Sequence, residues 1–287
     1  MTASASTSTG WVEIGDRVFV RRYPFYDQNI GVVLGRAEVL VIDTRSTYSQ
    51  AREIQEDLRE LTDAPVGVVV DTHGHFDHVF GNAIFRPATI WGHERCVTFM
   101  VRTGEARKAA IAAEQPLLAD ELSEIVIDPP DRIFATHARV EVGGREVMLR
   151  YLGRGHTDHD VVVDVTGTDV VFAGDLLEQG NVPFFGDAFP LDWPATARAL
   201  AVRVMEGSGV VVPGHGAHAG RSFADAQAAS LEALVEAATR VEQGEMQLDE
   251  AIASHPFPEH PPEDARRAFE RTLLHLRGEL EPVGSGA

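Results

Sequence analysis

Positive charge is scarce in this sequence. The 287 residues contain 25 Lys and Arg against 44 Asp and Glu, which gives a formal net charge of −19. Only one basic residue, Lys108, is a lysine, and the arginines are scattered along the chain. Proteins that bind nucleic acid or an anionic membrane surface need clustered Lys and Arg to neutralise the phosphates. We therefore expect neither nucleic acid nor a membrane as a partner, and we attribute the negative charge to solubility.

Cysteine is almost absent as well. The single Cys96 excludes an intramolecular disulfide and is typical of a reducing compartment, so we expect a cytoplasmic location. Residues 1–10 are rich in Ser, Thr and Ala without the apolar segment of a signal peptide, and we expect a disordered N-terminus there. No apolar run approaches the length that is needed to cross a bilayer.

Short apolar strands and helical segments account for most of the chain. They fall into two halves, each with a set of strands followed by helices. This predicts an α/β (α+β) protein in which two sheets pack face to face with helices outside. We expect a single domain over residues 11–287, with C-terminal helices over about residues 222–280. The helical pattern of residues 94–122 should be broken at Gly104 and Pro116, and this stretch resembles an insertion that covers something.

The most informative stretch is DTHGHFDH, residues 71–78, which directly follows the apolar run Val68–Val70. The run predicts a buried strand, and Gly74 begins to break it. Imidazoles and a carboxylate crowded at a strand end form a ligand set for zinc or a similar divalent ion. The alternative is a polar turn with solvated histidines. The candidate ligands in this stretch are His73, His75, Asp77 and His78.

Three further polar residues follow apolar strands later in the chain. They are His156, Asp175 and His215, and each is directly preceded by a glycine that allows a sharp turn. A lone histidine at such a place is more often a hydrogen-bonded surface residue. The whole set is harder to explain in that way, because burying it without a metal would leave several polar groups unpaired. If the strand ends share one edge, seven candidate ligands converge there.

At this point the chain resembles the metallo-β-lactamase superfamily. The matching motifs, in order, are THGHFDH at 72–78, GHT at 155–157, GD at 174–175 and GHG at 214–216. The resemblance implies an αββα sandwich of two mixed sheets with helices on both outer faces, and a site for two metal ions. It implies His73, His75 and His156 as ligands of the first ion. It also implies Asp77, His78 and His215 as ligands of the second ion, with Asp175 bridging the two.

The resemblance also implies a chemistry. Two divalent ions, most simply Zn²⁺ with Fe or Mn as alternatives, would share a hydroxide that attacks the carbonyl of a small ester, thioester, lactone or amide. Asp77 would help to orient that hydroxide as the catalytic carboxylate. Asp175 departs from true metallo-β-lactamases, which tend to carry Cys or Ser there, and resembles the ligand set of glyoxalase II-type enzymes. The alternatives are a mononuclear non-haem iron sulfur dioxygenase, a β-lactamase, a nuclease, which the charge disfavours, and a non-catalytic binding protein.

The loop that follows Asp175 is rich in aromatic residues. Phe184, Phe185 and Trp193 could line a substrate pocket, and the alternative is that they pack in the core. If they line a pocket, an acyl or aromatic ester, thioester or lactone is favoured. The expected partner is thus a small-molecule substrate, and the sequence leaves a homodimer open.

Overall fold

Residues 10–280 are described by the computed structural model, in which twelve β-strands form. Most strands are runs of Val, Ile and Leu, residues that suit a pleated, buried surface. The predicted disordered N-terminus lies outside the described residues except for Gly10. The strands are β1 (Val12–Gly15), β2 (Val18–Tyr23), β3 (Gln28–Leu34), β4 (Val39–Ile42), β5 (Val66–Val70), β6 (Thr89–His93), β7 (Arg132–Phe134), β8 (His137–Val142), β9 (Arg145–Arg150), β10 (Val162–Val165), β11 (Val170–Glu178) and β12 (Val210–His215).

Eight α-helices connect or follow these strands within the described part of the chain, and none of them is long and apolar enough to cross a membrane. The first shows why they form: Thr47 caps its N-terminus by accepting a hydrogen bond from the amide of Gln50, and one face is buried. The helices are α1 (Tyr48–Leu58), α2 (Phe76–Val79), α3 (Glu94–Glu114), α4 (Ala119–Glu124), α5 (Trp193–Ala201), α6 (Arg221–Glu242), α7 (Leu248–Ala253) and α8 (Pro262–Leu276).

The strands pair in the order β7-β6-β5-β4-β3-β12-β11-β10-β9-β8, with β2 added to β3 and β1 to β2. Parallel pairs, such as β4 with β5 and β11 with β12, occur beside antiparallel ones, so the pairing is mixed. Strands β3 and β12 are joined by one residue pair, Gln28 with His215. The ladder therefore consists of two half-sheets, β1–β7 and β8–β12, that meet at a narrow seam.

Alternation of side chains along the strands gives four layers. Leu40 and Ile42 of β4 pack in the same buried cluster as Val170 and Phe172 of β11, so the two half-sheets face each other. The neighbouring residues of β4 point the other way, into a cluster with α1. Those of β11 point into a cluster with α5, α6 and α8. Because successive side chains of a strand lie on opposite faces, this is the expected αββα sandwich.

The predicted break at Gly104 is wrong, although the break before Pro116 is confirmed. Helix α3 runs from Glu94 through Gly104 to Glu114 and ends before Pro116. Gly104 is buried, and a Cβ atom there would lie 2.8 Å from Cδ1 of Ile127. This glycine therefore allows the segment after α4 to pack closely against α3, and it does not end the helix.

Candidate metal centre

The histidine-rich loop leaves the end of β5 and turns at once into the single turn of α2. His75 is the residue before this helical turn, and Asp77 and His78 are consecutive buried residues within it. Gly74 has no room for a side chain, because a Cβ atom would lie 2.6 Å from Cδ1 of Phe99. Its amide donates to Nε2 of His159 at 3.0 Å. The loop is therefore held from both sides in the shape that turns its histidines inward.

The three later candidates reach the same place from the second half-sheet. His156 lies in the loop between β9 and β10, and His215 is the last residue of β12. Asp175 was expected just past a strand, but β11 continues irregularly through it to Glu178. Gly174 has φ = 54°, which lets the chain twist so that Asp175 faces the cluster. A Cβ atom on Gly214 would lie 1.7 Å from Oδ1 of Asp175, so only glycine fits there.

The structure brings all seven predicted ligands together, in two groups whose ligand atoms lie within 4.8 Å of one another. Asp175 contacts both groups: its Oδ2 is 3.5 Å from Nε2 of His156 and 3.4 Å from Nε2 of His215. Its Oδ1 is 3.4 Å from Nε2 of His78. This is the position that a bridging carboxylate would need. The groups are His73, His75, His156 and Asp175, and Asp77, His78 and His215.

Three histidines have their outward ring nitrogen fixed by an acceptor. Nδ1 of His78 lies 2.8 Å from Oδ2 of Asp43, and Nδ1 of His215 lies 2.6 Å from the carbonyl oxygen of Tyr26. Nε2 of His75 lies 3.0 Å from Oδ2 of Asp187. Because carboxylates and carbonyls accept, these nitrogens carry the proton of the neutral imidazole, in which the inward nitrogen has the lone pair that a metal ion needs. Metal-binding histidines are held in this way.

Two atoms at the centre of the cluster lack partners among the described residues. Nε2 of His73 and Oδ1 of Asp175 are buried and accept or donate no hydrogen bond. Leaving buried polar atoms unsatisfied is unfavourable by about 1–3 kcal/mol each. Imidazole nitrogens and carboxylate oxygens are ligands that zinc and similar ions take. The residues present therefore fit divalent cations, which would satisfy both atoms.

The charges within the cluster are in conflict without a cation. Burial, together with the charge of His78, lowers the pKa of His73 well below its usual value, and burial lowers that of His156 to about 3. Burial also disfavours protonation of His215, but Asp175 and Asp77 outweigh it and raise that pKa. Neighbouring imidazoles thus favour opposite protonation states. Bound cations would replace these protons and remove the conflict.

Sequence reasoning missed two carboxylates that hold the histidines. Asp43 directly follows β4 and also accepts from the amide and hydroxyl of Thr72, at 2.8 Å each. It could have been found, because the end of β4 lies beside the end of β5, where the histidine loop begins. Asp187 lies in the loop after β11 and pairs with Arg107 at 2.9 Å. Nothing in the sequence near Asp187 indicated that role.

The cluster opens into a cavity of about 660 Å³. Helices α3 and α8 and the loop after β11 form its walls, so the segment that was expected to cover something covers this site. Phe184 lines the cavity, and its ring lies 6.0 Å from that of His75. Phe185 borders the cavity, but its side chain is buried in the core, with its ring 5.1 Å from that of Trp193. Trp193 does not line the cavity. Its indole is fully buried and donates to the carbonyl of Leu176 at 3.2 Å. Trp193 therefore packs in the core, which was the alternative to a place in the pocket.

Comparison with known proteins identifies the family. The sequence model of the metallo-beta-lactamase superfamily matches residues 23–215, which is more than half of the 287-residue chain. The chain therefore belongs to the metallo-β-lactamase superfamily. The match ends at the seventh candidate ligand and leaves α6, α7 and α8 beyond it.

The individual relatives are distant. The metallo-β-lactamase IND-1 of Chryseobacterium indologenes is 22% identical over 195 residues, which cover 66% of this chain and 72% of that protein. A type 2 metallo-β-lactamase of Bacteroides fragilis is 21% identical over 192 residues, covering 66% and 69%.

Two solved structures share the fold. A metallo-β-lactamase from Pontibacter korlensis superposes with a TM-score of 0.60 at 24% identity, covering 77% of this chain and 98% of that one. The sec-alkylsulfatase Pisa1 from Pseudomonas sp. gives a TM-score of 0.74 at 15% identity, covering 96% of this chain and 51% of that one. The likeness to the alkylsulfatase thus extends beyond residue 215. At these identities the likeness concerns the fold alone.

Proposed function

We propose that the protein is a dinuclear metal-dependent hydrolase that cleaves a small ester, thioester, lactone or amide. The observation that carries this proposal is the orientation of His75, His78 and His215. Each holds its outer nitrogen on a fixed acceptor and turns the other nitrogen into the cluster, toward Asp175 for His78 and His215 and toward His156 for His75. We assign the first ion to His73, His75 and His156, the second to Asp77, His78 and His215, and the bridge to Asp175.

Zn²⁺ is the ion we favour, with Fe or Mn as alternatives, because imidazole and carboxylate ligands suit all three. Bound divalent ions supply Lewis acidity, which polarises a carbonyl and lowers the pKa of water toward about 7. Asp77 stays ionised at neutral pH: burial alone would raise its pKa, but His78 and His215 lower it to about 2. Its carboxylate lines the cavity and can accept a hydrogen bond from the attacking water, which orients the water toward the substrate.

The walls of the cavity suit a small acyl substrate. Phe99, Ile111 and Phe184 give it an apolar side next to the polar cluster. Such a surface excludes bulk water and packs against carbon chains. The net charge of −19 disfavours a polyanionic nucleic acid as the substrate. The relatives named metallo-β-lactamases favour a β-lactam as a second candidate substrate.

Elemental analysis of the purified protein, combined with a substrate panel, tests this proposal. We expect two equivalents of metal per chain and turnover of at least one ester, thioester, lactone or β-lactam. His73→Ala should lose about half of the metal and all hydrolysis, because one of two sites loses a ligand. His137→Ala is the matched control, since His137 is exposed on β8 and far from the cluster in the fold.

Three outcomes would contradict the proposal. Wild-type protein that binds no metal, or that hydrolyses the panel after its metal is removed, would refute it. One equivalent of iron per chain, with oxygen consumed in the presence of a thiol or persulfide, would favour a mononuclear sulfur dioxygenase instead. A chromogenic β-lactam in the panel decides between the two hydrolase substrates.

A further inference from the structure

One face of α8 lines the cavity. Arg267, Glu270, Arg271 and Leu274 are spaced i, i+3, i+4 and i+7, which places them on the same side of the helix. This helix lies beyond the part of the chain that the superfamily model matches. One wall of the cavity is therefore built by residues outside that match.

The two arginines of this face have no carboxylate partner among the described residues. Arg271 donates from Nε to the carbonyl of Ala188 at 2.8 Å, which leaves the rest of its guanidinium group unpaired. Arg267 makes no hydrogen bond or ion pair there, and its Cζ lies 5.6 Å from the centroid of the Phe184 ring. Both arginines line the cavity that also holds the histidine cluster, so their charge is available to a ligand there.

Two nearby arginines, unlike Arg267 and Arg271, do have carboxylate partners. Arg266, the next residue on α8, pairs with Asp249 at 3.2 Å, and its Nη1 lies 4.0 Å from Glu270. Glu270 lies on the cavity face too, but it forms no ion pair with Arg267 or Arg271 in the part of the chain that the structure describes. Arg107, on the α3 wall, is neutralised by Asp187 at 2.9 Å. The positive charge that remains available to a ligand is therefore that of Arg267 and Arg271.

Phe184 connects these arginines to the candidate metal centre. Its ring lies 6.0 Å from the ring of His75 and 6.1 Å from that of His156, while Arg267 lies over the same ring. A small molecule that packs against Phe184 can thus reach the cluster with one end and α8 with the other. Guanidinium groups bind carboxylates and other oxyanions through paired N–H donors.

We propose that Arg267 and Arg271 bind an anionic group of the substrate, a carboxylate or a similar oxyanion, while the bond to be cleaved lies at the histidine cluster. This inference rests on the proposed hydrolase function and narrows its substrate class. The preferred substrates are then small acyl compounds that carry a negative charge a few carbon atoms from the carbonyl. Electrostatic attraction of this kind also weakens with rising salt concentration.

Two esters of nearly the same shape test the proposal. Monophenyl succinate carries a carboxylate where phenyl butyrate carries a methyl group, and both release phenol. We expect the wild-type protein to prefer the succinate. In Arg267→Gln and Arg271→Gln, the ratio of kcat/KM for succinate over butyrate should fall about 10- to 100-fold, the usual effect of losing a hydrogen bond to a charged group. Arg266→Gln should keep the wild-type ratio.

Binding without turnover gives a second readout. Calorimetric titration of the metal-loaded protein with butyrate, propanesulfonate and propylphosphonate identifies which oxyanion is preferred. We expect at least one to bind the wild type and Arg266→Gln, and to bind Arg267→Gln/Arg271→Gln at least about tenfold more weakly.

Failure of this proposal can be told apart from failure of the hydrolase proposal. If both esters are hydrolysed and the ratio is the same in wild type, Arg267→Gln and Arg271→Gln, the anion site is refuted and the hydrolase stands. If neither ester is hydrolysed, the calorimetric titration decides the anion site by itself. Equal binding of all three anions to the wild type and to the double variant would refute it in that case.

Discussion

Asp187 offers the sharpest test of how the candidate metal centre is held. Its two carboxylate oxygens lie 3.1 and 3.0 Å from Nε2 of His75, and one of them also accepts from Arg107 at 2.9 Å. The carboxyl side chain is only 17% exposed, so water cannot easily replace it. On the other side of the ring, Nδ1 of His75 lies 2.9 Å from Nε2 of His156. Asp187 therefore determines which nitrogen of His75 faces the cluster.

Removing this acceptor should weaken metal binding. Losing the outer partner of a metal-binding histidine lowers metal affinity by about 10- to 100-fold, which is about 1.4–2.8 kcal/mol. Asp187→Asn retains one acceptor oxygen but loses the charge, so we expect a loss near tenfold. Asp187→Ala retains no acceptor, and we expect a loss near 100-fold. Competition with a coloured zinc chelator measures both affinities directly, without any substrate.

Asp192→Asn is the matched control for this prediction. Asp192 follows in the same loop and also pairs with an arginine, Arg154 at 2.9 Å, but it contacts no candidate ligand. The zinc affinity of the Asp192→Asn variant should equal that of the wild type. Equal affinities in wild type, Asp187→Asn and Asp187→Ala would refute the argument, and so would an equal loss in Asp192→Asn. The melting temperature of the metal-free variants separates loss of metal from loss of fold.

Three further predictions concern the metal and the packing. Chelation should lower the melting temperature of the metal-loaded protein and abolish hydrolysis, and added Zn²⁺ should restore both; unchanged melting would contradict metal binding to the folded state. Gly74→Ala should destabilise the fold by about 1–3 kcal/mol in urea titrations, because its Cβ would lie 2.6 Å from Phe99. Ile54→Ala on α1 should remove about 2–5 kcal/mol, since Ile54 is fully buried. The exposed Glu56→Ala on the same helix should change stability by less than about 0.5 kcal/mol.

The candidate ligands were predictable because they share one local pattern. His156, Asp175 and His215 each follow a glycine and an apolar strand, and strands with long apolar runs are buried with their ends at a common edge. The pattern does not show that β11 continues through Asp175, because the irregular pairing depends on the neighbouring strand β12. It also does not predict the orientation of the imidazole rings, which partners distant in sequence determine.

The aromatic loop shows where local sequence is insufficient. Phe184 reaches the cavity and Trp193 the core, although the loop has no periodicity that would separate them. Their positions depend on α8 and on Leu176 of β11, which contact the loop only in the folded chain. The same holds for Asp187, which lies 112 positions after the histidine it holds. The expected cytoplasmic location stays a prediction, and a homodimer stays open.

Because the seam between β3 and β12 is narrow, the histidine cluster can also help to hold the two half-sheets together. Residues 73–78 belong to the half-sheet β1–β7, whereas His156, Asp175 and His215 belong to β8–β12. A cation held by both would tie the two half-sheets together beside a seam where the strand ladder has one residue pair. If one half-sheet moves relative to the other, the histidine and aspartate ligand atoms separate. Release of the ion and separation of the two half-sheets are then coupled. The amide of Gly216 donates across this seam to the carbonyl of Asp27 at 2.9 Å, and its hydrogen exchange should slow when the ion binds.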